Sequence, residues 1–276
     1  MTSRDVSPAG TTRVNTALHE LFVALFLILG PSTLALAQSS IQRDQEALTI
    51  IAKSVIASGG QELLASIQDV TATGTVTYGS ANQPTGTVTV KGRGLSELKI
   101  EANLPTGVRT VVATAGGGSL TDTNGEIRPI LRQSANDLGG FTLPYLPLFA
   151  AVQSTSTSIT YVGLVTHDGV SEYDIRVQNV YTVQQDATGN LGVREAHDFY
   201  IDPKTYLIAA ISDLVHFGGP NDQGVPHEVL FSNYQAENGI MVPLNIEESV
   251  RGTTGMTMTF TQVTFNSGLT DSTFSW

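Results

Sequence analysis

The sequence contains no cysteine, which excludes disulfides, thiolate metal sites, a cysteine nucleophile and the acylated cysteine of a bacterial lipoprotein. Charged residues make up only 14% and aromatics 7%, whereas glycine (27 residues) and threonine are abundant, a composition that suits turns and pleated sheet more than helices. Basic residues are scarce: Lys+Arg is 14 against Asp+Glu 25, a formal net charge of −11. A surface of that sign repels phosphate backbones, so no nucleic-acid partner is expected. Catalytic signatures are missing too. There is no G-x-S-x-G elbow, no H-E-x-x-H pair and no G-x-G-x-x-G ahead of a helix, so the expectation is a protein without enzyme activity or cofactor. Gly116-Gly117-Gly118 is followed by no helix and no Lys-Ser/Thr pair, and reads as a hairpin turn rather than a phosphate cradle.

Long apolar runs are absent except for Leu21 to Leu29 (LFVALFLIL). It follows Arg4 and Arg13 and precedes Ala35-Leu36-Ala37. The run is about half the ~20 residues that cross a bilayer, and Gly30-Pro31 interrupts it. Residues 1–37 therefore read as a secretory signal peptide cleaved after Ala37, leaving 38–276 as a single secreted domain.

What remains is mostly alternation. Asp44 to Ser58 is the clearest helix, with Leu48, Ile51, Ala52, Val55 and Ile56 on one face and Gly59-Gly60 as its stop; a shorter turn follows at Glu62 to Ser66. From Val70 the period is two: Val70, Ala72, Gly74, Val76 and Tyr78 alternate with threonines. Leu98, Ile100, Ala102 and Leu104 alternate with Glu97, Lys99, Glu101 and Asn103, and Tyr173, Ile175, Val177 and Tyr181 with Glu172, Asp174, Arg176 and Gln178. Val193 to Phe217 reads as two strands turned back at Asp202-Pro203-Lys204-Thr205. Ile240, Val242, Leu244 and Ile246 form the sharpest apolar stripe, continued by Met256, Met258 and Phe260. Roughly ten to twelve antiparallel strands follow, each apolar on one face.

A sheet that wide curls, because neighbouring strands are rotated by roughly 20–25°. One amphipathic helix and a Pro-rich insertion around Pro144 and Pro147 are too little to cover the apolar face. Either the sheet closes and fills itself, or a cavity remains for an apolar ligand. The expected wall of such a cavity is Val242, Leu244, Ile246, Met256, Met258, Phe260, Tyr173, Ile175, Val177, Leu98 and Ile100. Phe141, Leu143, Tyr145, Leu146 and Phe149 would form a lid or a plug of the core.

Histidine–carboxylate neighbours occur at His167-Asp168, His197-Asp198 and His227-Glu228. Adjacent strand residues point to opposite faces, so no single pair chelates and no metal site is expected; exposed histidines are the default. Glu247-Glu248 reads as solvated. The C-terminal Phe274-Ser275-Trp276 leaves an integral outer-membrane barrel as an alternative, and an apolar groove that takes another protein's strand or helix is a further one.

Several short stretches together resemble one family. An amphipathic helix ending in Gly59-Gly60, then Lys99-Ile100-Glu101, Leu104-Pro105-Thr106-Gly107, Ile201-Asp202-Pro203-Lys204-Thr205, Asn233-Tyr234 and Gly239-Ile240-Met241-Val242-Pro243, all behind a leader, are similar to the LolA/LppX-like periplasmic lipoprotein carriers and lipid binders. The resemblance implies a mainly β (α+β) fold: a large antiparallel, strongly curved, unclosed barrel of about eleven strands with one or two helices over its concave apolar face. It also implies a periplasmic, monomeric, non-enzymatic protein that holds a lipid or acyl chain. Its partners would be envelope lipoproteins or a membrane receptor.

Overall fold

The alternation becomes strands because threonine and branched residues fit a pleated, half-buried surface. The computed structural model describes residues 41–79, 84–130, 143–182, 184–186, 191–216 and 223–276; the expected leader and Phe141 lie outside them. The chain runs α1 (Gln45–Ala57), α2 (Gln61–Ala65), β1 (Asp69–Tyr78), β2 (Thr85–Arg93), β3 (Glu97–Leu104), β4 (Gly107–Thr114), β5 (Gly117–Thr121) and β6 (Ile127–Ile130). It continues with α3 (Tyr145–Gln153), β7 (Thr157–His167), β8 (Val170–Asn179), α4 (Leu191–Arg194), β9 (His197–Ile201), β10 (Ile208–Val215), β11 (Val225–Glu237), β12 (Ile240–Val250) and β13 (Thr253–Phe265).

Among the described residues the strands form one antiparallel sheet of 13, in the order β6-β5-β4-β3-β2-β1-β13-β12-β11-β10-β9-β8-β7. The chain starts in the middle, meanders out to β6, and returns from the opposite edge until β13 pairs with β1. Among the described residues the sheet stays open, with β6 and β7 as its ends. The strand number exceeds the expected eleven because β5 and β6 are short and carry no apolar alternation; Ile127, Arg128 and Pro129 are all exposed.

The sheet is strongly curled. Leu95, in the turn between β2 and β3, lines the same cavity as Val177 of β8, seven places away in the sheet order. In a flat sheet those strands would be about 33 Å apart. The inner face is the core, built from Val88, Val90, Leu98, Ile100, Ile159, Ile175, Phe199, Phe231, Ile246 and Met258 among others.

Helix α1 occupies nearly the expected residues, but its buried face is rotated from the expected one: Ile51 is buried and Leu48 and Val55 pack against the core as partly buried residues. Ala47, Ile50, Ile51 and Ser54 are buried, whereas Ala52 is exposed and Ile56 is 73% exposed. Small residues at 47 and 54 let the helix backbone approach its neighbours closely, and that shape requirement overrides the most hydrophobic stripe. Past its end, Gly59 has φ 130 and a Cβ there would sit 2.8 Å from the carbonyl oxygen of Gly239, so the hairpin between β11 and β12 needs glycine at this point. Val193 and Arg194, expected at the start of a strand, belong instead to the single turn of α4, and β9 begins only at His197. The Asp202 hairpin forms as expected, its side-chain Oδ1 accepting from the N–H groups of Lys204 and Thr205.

Asp69 fastens the C-terminal segment to the first strand. Its buried carboxylate accepts from the N–H and Oγ–H of Ser267 (both 2.7 Å), from Gly268 N–H (2.9 Å) and from Leu269 N–H (3.0 Å). Burial pushes its pKa up, but the four donors outweigh that and hold it below the usual carboxylate value. Because the folded pKa is depressed, the stabilisation is present above the ordinary carboxylate pKa and disappears as pH falls through the folded value. Asp69→Asn should therefore cost roughly 1.5–3 kcal/mol at pH 7 in urea unfolding. The difference between variant and wild type should shrink as pH falls below the ordinary carboxylate value and through the depressed folded pKa, where the wild-type carboxylate takes up its proton.

Candidate functional site: an amphipathic cavity under a helix of small residues

Helix α3 lies over the inner face. Its first turn fills space: Tyr145 and Leu148 are both 1% exposed. Pro147 of that turn, Ala150, Ala151 and the following Ser154 face Val177 of β8, Phe199 of β9, Ile211 of β10 and Val229 and Phe231 of β11 across a shared space. Small side chains above medium ones cannot meet, and a cavity of about 320 Å³ is left between them.

Arg43 fixes the height of this roof. Its guanidinium donates to the carbonyl oxygens of Val152, Ser154 (2.8 Å) and Ala151 (3.4 Å) at the end of the helix, where acceptors lack intrahelical partners, and to that of Thr157 (3.5 Å) at the start of β7. The strand-like pairing of Asp44 N–H with Ile159 O (3.0 Å) and of Ile159 N–H with Gln42 O (2.8 Å) ties the segment before α1 to the edge of β7. Leu143, Tyr145, Leu146 and Phe149, expected as lid or plug, thus belong to an anchored segment; Leu143 and Tyr145 are buried and Leu146 and Phe149 half-buried.

One end of the cavity is polar. His227 of β11 is buried, and its ring donates from Nδ1 to Asp213 Oδ1 (2.6 Å) and from Nε2 to Glu248 Oε1 (3.3 Å). His197 Nε2 lies 3.5 Å from Asp213 Oδ2. Burial alone would lower the pKa of His227, but the two carboxylates raise it to about 10, so the ring is charged at neutral pH. The cavity therefore offers an apolar body and, around Asp213, His197 and His227, a charged end.

Of the residues expected to line such a cavity, Val177 does. Val242, Leu244, Ile246, Met256, Met258, Phe260, Ile175, Leu98 and Ile100 lie together in the buried cluster, with Tyr173 packed against it. The lining contributed by β9, β10 and β11 was less visible in the sequence, because His197, Asp213 and His227 interrupt its apolar alternation. The histidines also depart from the exposed default: His216 and His227 are buried and His167 and His197 half-buried. Glu248, expected in solvent, is turned toward His227, its side chain 24% exposed. His197-Asp198 and His227-Glu228 do split between the two faces: Asp198 pairs with Arg176 on the outer one (2.7 Å).

No protein-family model matches the sequence, and no curated protein matches it. Among solved structures the chain is similar to a DUF1329 family protein from Desulfovibrio piger (10% identity, 83% of this chain and 97% of that chain covered, TM-score 0.49). It is similar also to a LolA superfamily protein from Nitrosomonas europaea (8%, 83% and 97%, TM-score 0.48) and to the lipoprotein LppX of Mycobacterium tuberculosis (13%, 83% and 99%, TM-score 0.28). The functional reading rests on the cavity itself.

Removing the cation from between its carboxylates tests the polar end. His227→Leu should lower stability by about 2–4 kcal/mol in urea unfolding, because Asp213 and Glu248 lose the cation they share and Asp213 is left with only the longer contact to His197. His227→Leu combined with Asp213→Leu should cost less than His227→Leu alone.

Proposed function

We propose that this protein is a secreted, non-enzymatic carrier, acting as one domain after loss of residues 1–37, that holds a single acyl chain of a lipid or lipoprotein in the cavity under α3. The cavity of about 320 Å³ carries the proposal. Its size sits at the lower end of the roughly 300–1,000 Å³ of small-molecule sites, which suits one chain rather than a multi-chain lipid. Its apolar body suits hydrocarbon, and its charged end suits the polar group that terminates an amphiphile. Tyr173, Ile175, Leu98, Ile100, Val242, Leu244, Ile246, Met256, Met258 and Phe260 would support the wall from behind, and α3 would serve as the lid. The apolar residues bury roughly 25 cal/mol for each Å² that a bound chain covers.

The periplasm is the proposed location, with delivery to or from an envelope lipoprotein or a membrane receptor as the proposed role. No helix among the described residues is long and apolar enough to cross a membrane. A transmembrane barrel needs every strand edge paired. Among the described residues β6 and β7 end an open sheet instead, which favours the carrier over the outer-membrane barrel.

Protein purified without detergent and extracted with organic solvent should yield about one acyl chain per molecule by mass spectrometry. Ala150→Trp, which fills the cavity from its roof, should lower bound chain by about tenfold while leaving the thermal midpoint within a few degrees of wild type. Wild-type protein that emerges lipid-free and fails to bind a fluorescent fatty acid after delipidation would end this reading.

A further inference from the structure

The outer face of the same strands carries a second cluster that the cavity does not use. Strand β7 ends at His167, and the chain returns into β8 through Asp168-Gly169, whose φ angles of 47 and 81 are those of the type I′ turn that Asp-Gly favours. Asp168 is therefore a turn residue and escapes the strand alternation that would send it away from His167. Donor atoms of His167, Asp168 and Glu228 lie within 4.8 Å of one another, brought together from the β7–β8 turn and from β11.

We propose that His167, Asp168 and Glu228 form a site for a divalent transition-metal ion of the zinc type. Nitrogen and carboxylate donors around such an ion stand roughly 3.3 Å apart in tetrahedral geometry, and small rotations of these side chains reach that spacing. The supporting groups are already in position. Glu172, only 5% exposed, meets His167 Nδ1 at 3.0 Å, which leaves Nε2 to face Glu228 Oε1 at 2.7 Å. A carboxylate that orients one ring nitrogen so that the other can ligate is the usual support of a histidine ligand. The Tyr200 ring stacks on His167 at 3.9 Å and 7°, fixing its plane, and Ser212 Oγ donates to Glu228 Oε1 at 2.9 Å.

Two further observations call for a cation here. The cluster sets the carboxylates of Asp168, Glu172 and Glu228 against one imidazole, an excess of negative charge even when that ring is protonated. On the same face of β8, Asp174 is 6% exposed with an Oδ1 that has no hydrogen-bond partner. Nearby Arg176 is engaged with Asp198, through contacts of 2.8 and 2.7 Å. Soft metals are poorly served by this donor set, and magnesium demands all-oxygen octahedral coordination, so zinc or a neighbouring divalent ion fits best.

The test is calorimetric titration of chelator-treated full-length protein with Zn²⁺, and separately with Mg²⁺. One Zn²⁺ per chain is expected, with no heat from Mg²⁺ at equal concentration, and Asp168→Asn should weaken Zn²⁺ binding roughly tenfold or more. Asn tolerates a positive φ and residue 168 is exposed, so this variant keeps the fold. His167→Gln should abolish the binding. Unchanged Zn²⁺ affinity in both Asp168→Asn and His167→Gln would put any bound ion elsewhere and overturn the proposal, as would wild-type protein that binds no Zn²⁺ up to about 1 mM.

Discussion

The Arg43 guanidinium, reaching the carbonyl oxygens at the end of α3, is the contact on which the interior depends. Helix ends leave acceptors unsatisfied, and a fixed cation beside them holds the helix in one place. Held there, α3 cannot sink onto the sheet to remove the space under Ala150 and Ala151. A cavity in a protein interior forfeits dispersion contacts and transfer free energy on every wall. Here the space lies between α3 and strands β8 to β11, under a helix whose end is held by a charged side chain.

The curl itself is the other requirement. A 13-stranded open sheet brings strands seven places apart to one cavity only by coiling on itself, and the β1–β13 pairing joins its two halves in the middle rather than at a seam. At Thr73/Gly74 the register with β13 shifts, and a Cβ on Gly74 would lie 2.0 Å from the carbonyl oxygen of Thr259. Glycine there permits the close approach that a bulge in a strongly bent strand requires.

Much of this was legible in the sequence. Period-two alternation located the long strands, Asp202-Pro203 located a hairpin, and Gly59-Gly60 ended the first helix where expected. The short β5 and β6 were missed because so few residues carry no period. The face of α1 is only partly legible: hydrophobicity points to Leu48, Ile51, Val55 and Ile56, of which the first three reach the core, while Ala47 and Ser54 are buried and Ile56 stays exposed. The cavity was expected along the richest apolar stripes, Ile240 to Ile246 and Met256 to Phe260. Those stripes pack against one another because they are rich, and the space lies where α3 is small. Strand alternation sends His167 and Asp168 to opposite faces, but Asp168-Gly169 is a turn, and a turn residue is free of that alternation.

Two faces of β8, β9, β10 and β11 thus carry different chemistry, hydrocarbon-sized space inside and a histidine–carboxylate cluster outside. The measurement that bears most directly on the central claim is diffraction from crystals grown with a bromine-tipped acyl chain. The account predicts an anomalous peak between Ala150 of α3 and Phe199 and Val229 of the sheet. A cavity containing only ordered water, with the bromine found nowhere inside the protein, would contradict it.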